Sequence, residues 1–476
     1  MRNNLLSKKW LWLIPLILGV MVIVMLFNHY KNLPEGLSME GSVHHVDEVE
    51  FLQNLSYKKD RKPVHDQQIF QKAFKMIEQA QHFVVVDMFL LNSYTDESRD
   101  FPKLADQLTE KLIAQKKKHP DMQAVLITDP INAGYHSYED KHLKKLEANG
   151  VEVVVTNLDK LRDSNPAYSA FWRIFMRPFG QAGEGWLPNP LASGAPKITA
   201  RSYALLLNVK ANHRKVFVTE KEALVTSGNA HDASGYFSNV GFAVKGDIIH
   251  EIVEAEQAVI DYSGGKTKVH HQGKVKSAGK GDIAVQYLTE GKIEKHVLQA
   301  LDHTKKGDEI DMAMFYLAER AVVDRLKEAE ERGVKVRLIL DPNKIAFGHG
   351  KTGLPNLPIA RELKKHGGIG IRWYDSNKNQ FHTKMMFIKQ GKRATVIGGS
   401  ANFTARNLGD LNLESDLKIE APLDKPVMKD IDQYFDRIWN NKGGKITADY
   451  SKYENDLTPL LEATYWVQKA TGLTTY

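Results

Sequence analysis

The chain has 476 residues, a formal net charge of +7, and hydrophobic and charged fractions of 42% and 26%. These are the proportions of a folded protein too long for one ordinary core. It contains no cysteine, which excludes disulfides, thiolate metal sites and cysteine nucleophiles. The mild basic excess suits an anionic partner such as phospholipid headgroups, teichoic-type polymers or nucleic acid, and equally suits plain solubility.

Arg2, Lys8 and Lys9 precede an uncharged apolar run over 10–27, long enough to cross a bilayer as a helix. Only Lys31 follows before the acids Glu35, Glu40, Asp47, Glu48 and Glu50. The charge bias predicts a cytoplasmic segment 1–9, a transmembrane anchor 10–30, and the rest of the chain outside. A cleaved signal peptide is the rival reading, but no small-x-small site follows Phe27.

Beyond the anchor the chain reads twice. A helix over 69–80 leads into the apolar strand 83–89, a helix over 104–113, a strand over 124–127 ending in Asp129-Pro130, a helix over 140–149 and a strand over 151–155. The second half repeats this order. Strand 310–315 is followed by helix 321–331, strand 334–340 ending in Asp341-Pro342, helix 359–366 and strand 369–374. Amphipathic helices alternating with β-branched runs predict an α/β fold with buried sheets. Each half then delivers a His-x-Lys tripeptide at a strand start, His213-Arg214-Lys215 and His382-Thr383-Lys384. An apolar strand follows each, then a small-residue segment containing Asn, Ser227-Gly228-Asn229 or Ser400-Ala401-Asn402.

Asp129 and His213 lie 84 residues apart, whereas Asp341 and His382 lie 41 apart, so the first half carries an insertion at about 158–203. Its aromatics and arginines (Phe171, Trp172, Arg173, Phe175, Arg177, Phe179, Trp186) suit a membrane interface or a lid on the protein's own surface. The expected organisation is a first half over 45–262, a Gly/Lys/His-rich linker over 263–280, and a second half over 281–476. Of the remaining features, His44-His45 and His270-His271 read as surface residues, and Gly367-Gly368-Ile369-Gly370 as a helix stop. Asp129-Pro130 and Asp341-Pro342 read as strand-end turns. The C-terminal stretch reads as a helix with Leu457, Leu460, Leu461 and Trp466 in the core.

His and Lys two apart on a strand point to one face. Two such strands brought together offer two imidazoles and two ammonium groups around one site. One His can attack phosphorus while the other protonates the leaving oxygen, with lysines and asparagines holding the non-bridging oxygens. This chemistry asks for no metal and no cofactor.

With both motifs and their contexts in place, the sequence resembles the phospholipase D superfamily, especially bacterial cardiolipin synthase-like members, over about 46–440 outside the insertion. The resemblance implies two homologous α/β/α halves in a pseudo-dimer, with the active site between them. It carries catalytic roles to His213, Lys215 and Asn229 in the first half and to His382, Lys384 and Asn402 in the second. Glu414 matches the acid that orients a catalytic His, with Asn239 its first-half counterpart, and Ser227, Ser400 and Asn239 are carried over as substrate-binding positions. By analogy His213 is the nucleophile and His382 the general acid/base. The signature Asp seven residues after each His is replaced by Glu220 and Lys389.

The implied function is a membrane-anchored phosphodiesterase or phosphatidyltransferase acting on phospholipids through a phosphohistidine, on the extracytoplasmic side, with no obligate protein partner. The alternatives are a cell-surface nuclease of the same superfamily and a catalytically silent binding protein of this fold.

Overall fold

The computed structural model describes residues 4–95, 100–181, 183–190, 194–269, 281–346, 349–375, 379–471 and 474. Two large sheets organise the chain. In the first, the strands run in the spatial order Lys62–Asp66, Val49–Lys59, Asn239–Val244, Ala223–Thr226, Lys215–Thr219, Phe83–Met88, Gln123–Thr128, Glu152–Val155. In the second the order is His44–Val46, Ile283–Thr289, Ser415–Pro422, Arg393–Gly399, Lys384–Gln390, Glu309–Met314, Lys335–Leu340, Gly370–Tyr374, Thr447–Asp449. From Val49–Lys59 to Glu152–Val155, and from Ile283–Thr289 to Gly370–Tyr374, the two orders correspond strand for strand, parallel where helices cross over and antiparallel elsewhere.

Period-two alternation decides what each strand packs against. Val216 and Val218 enter a core shared by both halves, while Phe217 between them enters the outer core of the first half. Met385 and Phe387 join the shared core, while Met386 and Ile388 join the outer core of the second half. The shared core is closed by the helices Ile248–Ser263 and Pro426–Trp439 and holds the rings of Phe51, Phe242 and Tyr434, with Phe51 5.6 Å from each of the other two. Gly398 is small because Phe242 of the other half comes so close that a Cβ there would sit 3.1 Å from its ring. Truncating Phe242 or Phe387 to alanine would cost about 3–5 kcal/mol.

The helices start and stop where local chemistry dictates. Asp140 caps Lys141–Ala148 by accepting from the amides of His142 and Leu143, and the helix over 104–113 extends to Lys118. Gly367 and Gly368 stop Asn356–His366 with φ of +97° and +63°, the helix-stop role expected of them.

Several expectations are revised. His45 and Val46, assigned by sequence to the first half, belong to the strand His44–Val46, which pairs with Ile283–Thr289 at the edge of the second sheet. Ser263, taken as the start of the linker, is the last residue of a helix. The rest of the linker from 270 onward, with His270 and His271, lies outside the described residues. His44 is tied to Glu251 at 3.1 Å. The C-terminal helix Pro459–Thr471 buries Tyr465, and Leu457 just before it is also buried; but Leu460 and Trp466 are 79% and 50% exposed, because the helix docks along one narrow side.

Candidate active site

The two His-x-Lys segments meet between the halves, and backbone pairing brings them there. The amide of His213 donates to Leu413 O at 2.9 Å and that of Leu413 to Ala211 O at 3.0 Å, so the approach to His213 lies against the residue before Glu414. The mirror contact is the amide of Ser238 on Gln380 O at 3.0 Å, beside the bridge between Ser238 and Phe381. Each half therefore sets its histidine beside the other half's position 414 or 239.

The strand-end turns are part of this arrangement. Asp129 accepts the amide of Ile131 on one oxygen and that of Asn212 on the other, both at 2.8 Å. Asp341 likewise accepts from the amides of Asn343 and Phe381, both at 2.6 Å. The residue preceding each motif histidine is thus fastened to the end of a central strand. Burial raises both carboxyls to about 7, with these backbone donors pulling the other way. Arg214, between His213 and Lys215, is fully buried and held by Glu290 at 2.7 Å and Glu256 at 3.3 Å. Asn212 donates to both oxygens of Asp87 at 2.9 Å.

The imidazoles of His213 and His382 face each other with ring centroids 6.5 Å apart. Nδ1 of His213 lies 2.8 and 3.0 Å from the two oxygens of Glu414. Nδ1 of His382 lies 2.8 Å from Ser227 O and 3.1 Å from Asn239 Oδ1. With each Nδ1 engaged, Nε2 is the nitrogen that each ring leaves for other chemistry. Phe89 packs on His213 at 4.9 Å and Phe315 on His382 at 5.0 Å, fixing the rings from the side.

Lys215 Nζ donates to His213 O at 2.6 Å, and Lys384 Nζ to His382 O at 2.8 Å. Burial pushes Lys215 down to about 7 and holds Lys384 well below the ordinary lysine value, the second also through Lys215. Both histidines lie well below their usual value, by burial first and then by the two lysines. Glu414 is raised to about 8 by burial, with Lys215, Ser400 and Asn407 opposing.

Ser400 donates its hydroxyl to Glu414, as Asn407 donates its amide, and Ser227 donates to Asn239 Oδ1 at 3.0 Å. The hydroxyls expected to bind substrate therefore point at the residues that orient the histidines. Asn229 and Asn402 are buried, and each leaves its side-chain oxygen without a partner.

Glu220 accepts the amide of Gln81 at 2.8 Å, while Lys389 pairs with Glu309 and Asp432, both at 2.8 Å. Both signature substitutions thus sit in structural ties remote from the imidazoles. Sequence reasoning missed Asn407, Phe89 and Phe315, which no motif spacing marks. It read Asp129 and Asp341 only as turns, although their repeated place before each motif was the available signal. No cluster of three metal-ligating side chains occurs among the described residues.

Part of the second half is similar to a phospholipase D-like domain. Residues 297–439 match the family model described as cardiolipin synthase, PLD-like domain. Among solved structures the chain is similar to phosphatidylserine synthase from Haemophilus influenzae Rd KW20, with 13% identity and a TM-score of 0.56 over 96% of this chain and 98% of that one. It also aligns with polyphosphate kinase from Porphyromonas gingivalis (12% identity, TM-score 0.44, 90% of this chain and 56% of that one). A third alignment is with the phospholipase D family member Nuc from Salmonella typhimurium (23% identity, TM-score 0.27, 34% of this chain and 97% of that one). The first likeness establishes the fold; the other two carry no argument. No curated protein matches the sequence.

Proposed function

We propose that this protein is a membrane-anchored phosphodiesterase or phosphatidyltransferase that acts on phospholipids through a phosphohistidine on His213. The observation that carries this reading is the pair of facing imidazoles, one backed by a carboxylate and the other by neutral oxygens.

Glu414 holds the Nδ1 proton of His213 and leaves the Nε2 lone pair free to attack phosphorus. As the N–P bond forms, the P–O bond to the leaving group breaks, and that oxygen takes a proton from Nε2 of His382. Water or an alcohol then attacks phosphorus, giving its proton back to His382, and the P–N bond breaks to free His213. Lys215, Lys384, Asn229 and Asn402 hold the non-bridging oxygens, whose charge is transferred through this cycle. Ser227, Ser400 and Asn239 act by holding Glu414 and the imidazoles in place.

The cardiolipin synthase-type match of the second half, the phosphatidylserine synthase-like fold and the 19-residue apolar span Trp12–Tyr30 support a lipid substrate handled beside a bilayer. The charge bias around that span supports a catalytic part on the extracytoplasmic side. The test is an assay of the full chain in mixed micelles with phosphatidylglycerol, with products separated by mass. Phosphatidic acid would mark hydrolysis and cardiolipin would mark transfer. Oligonucleotide cleavage without lipid turnover would replace this reading with the nuclease.

A further inference from the structure

The first-half insertion is fastened to the end of the apolar N-terminal helix. That helix, Asn4–Tyr30, is exposed on all sides from Trp12 to Val20, but from Met21 onward the half-buried residues Met21, Val24, Met25 and Asn28 fall on one face. The helix Pro166–Phe175 of the insertion packs alongside it. The covered stretch measures about 10 Å along the axis, which is the outer third of a span ending at Tyr30.

Polar bonds lock the junction. Asp163 N donates to Asn28 O at 3.0 Å, and His29 Nδ1 lies 2.9 Å from Asp163 O. Lys31 Nζ donates to Asp159 O and Arg162 Nε to Lys31 O, both at 2.9 Å. The same Asp163 takes Arg173 at 2.7 Å and Lys210 at 3.0 Å through its side chain. Lys210 stands three residues before His213, so one residue, Asp163, ties the anchor through its backbone and the insertion helix and the approach to His213 through its buried carboxylate.

On its open side the insertion presents Phe171, Phe175, Phe179 and Trp186, 43%, 40%, 72% and 65% exposed. Phe171 and Phe175 are one turn apart, with ring centroids at 5.1 Å. A short helix beside the outer end of a spanning helix lies at the depth of the acyl chains and headgroups, and aromatic side chains are favoured there. We infer that the insertion is a membrane-seating element: Phe171, Phe175, Phe179 and Trp186 enter the outer surface of the phospholipid bilayer and hold the catalytic site at headgroup level. The inference rests on the anchored-phospholipid-enzyme reading above, and it commits to a lipid surface rather than a protein partner.

The cysteine-free chain permits single Phe171→Cys, Phe175→Cys and Phe179→Cys variants of the full protein. These would be nitroxide-labelled and reconstituted in phosphatidylglycerol/phosphatidylethanolamine vesicles. Lys59→Cys is the reference, because it is exposed at the end of the strand next to the edge strand Lys62–Asp66, on the side of the sheet away from Glu152–Val155, the strand from which the insertion departs. The three insertion labels should be relaxed by dissolved oxygen and shielded from a water-soluble nickel chelate, the reverse of Lys59. Insertion labels that match Lys59 would overturn the proposal. In a second arm, Phe171→Ser/Phe175→Ser/Phe179→Ser should lower turnover of vesicle phospholipid about tenfold and leave cleavage of soluble bis(p-nitrophenyl) phosphate unchanged. Unchanged vesicle turnover would also overturn it. A wild type inactive on both substrates would instead refute the enzyme reading, and the label result alone would then decide the membrane seat.

Discussion

The two halves share seven strands in one spatial order, one His-x-Lys segment each, and an aspartate that fastens each segment to a strand end. They differ where each histidine meets its partner, Glu414 on His213 and Asn239 with Ser227 O on His382. Duplicating a fold duplicates positions, and a single carboxylate-to-amide difference is enough to make the two histidines unlike. In the proposed mechanism, a carboxylate on Nδ1 supports the positive charge that His213 would gain in attacking. Neutral oxygens support an imidazolium less and leave His382 readier to give its proton away.

The largest expected effect is the loss of either imidazole. His213→Ala and His382→Ala should each reduce lipid turnover by about 10⁴-fold or more, and the halves should separate by leaving group. With a p-nitrophenyl diester, which needs little protonation, His382→Ala should recover much of its first-step rate and His213→Ala none. Equal recovery in burst kinetics would break the comparison.

The partners should split next. Glu414→Gln should lower kcat by about 10³-fold, because an amide cannot enforce the Nδ1–H tautomer. Asn239→Asp should give His382 a carboxylate and raise its pKa. The acid form then persists to higher pH, and the alkaline limb of the kcat profile should move up by about one unit. A profile that stays put would remove Asn239 from the account.

The turns that the halves share come third. Asp129→Asn and Asp341→Asn can keep only one of the two backbone amides satisfied, so each should cost about 1–3 kcal/mol of stability and about tenfold in kcat. Burial raises both aspartates to about 7 in the folded state, above the unfolded value. The wild type therefore takes up protons on folding and loses stability as pH rises from about 4 to about 7, and each variant should remove part of that slope in thermal melts.

The smallest effect should be on catalysis by the departed signature positions. Lys389→Asp would set a fourth carboxylate beside Glu309, Asp311 and Asp432 and destabilise the fold by about 1–3 kcal/mol. Its kcat per folded molecule should stay within about twofold. Glu220→Asp should be milder still in melting experiments, since the shorter acid remains near the amide of Gln81.

Much of this was legible before any coordinates. Phe83–Met88 is a fully buried run carrying three valines, and Lys335–Leu340 lies between Gly333 and Asp341-Pro342, contexts that read as strand. The site residues were legible because the duplication aligns two weak motifs that mean little singly. Asn407 was not, since it reaches Glu414 from a one-turn helix whose position depends on tertiary packing. The exchange of His44–Val46 into the other sheet was hidden too, because edge pairing is chosen by proximity rather than by local sequence. Leu460 and Trp466 were misassigned because amphipathic spacing gives a face but not its width.

The central claim is that His213, backed by Glu414, carries the phosphorus. The direct test is to quench His382→Ala in the burst phase with the p-nitrophenyl diester and map the adduct by peptide mass spectrometry under alkaline conditions. The account predicts an acid-labile phosphoryl adduct on the peptide bearing His213. An adduct on His382 in the His213→Ala protein, with none on His213 in the reverse experiment, would contradict it.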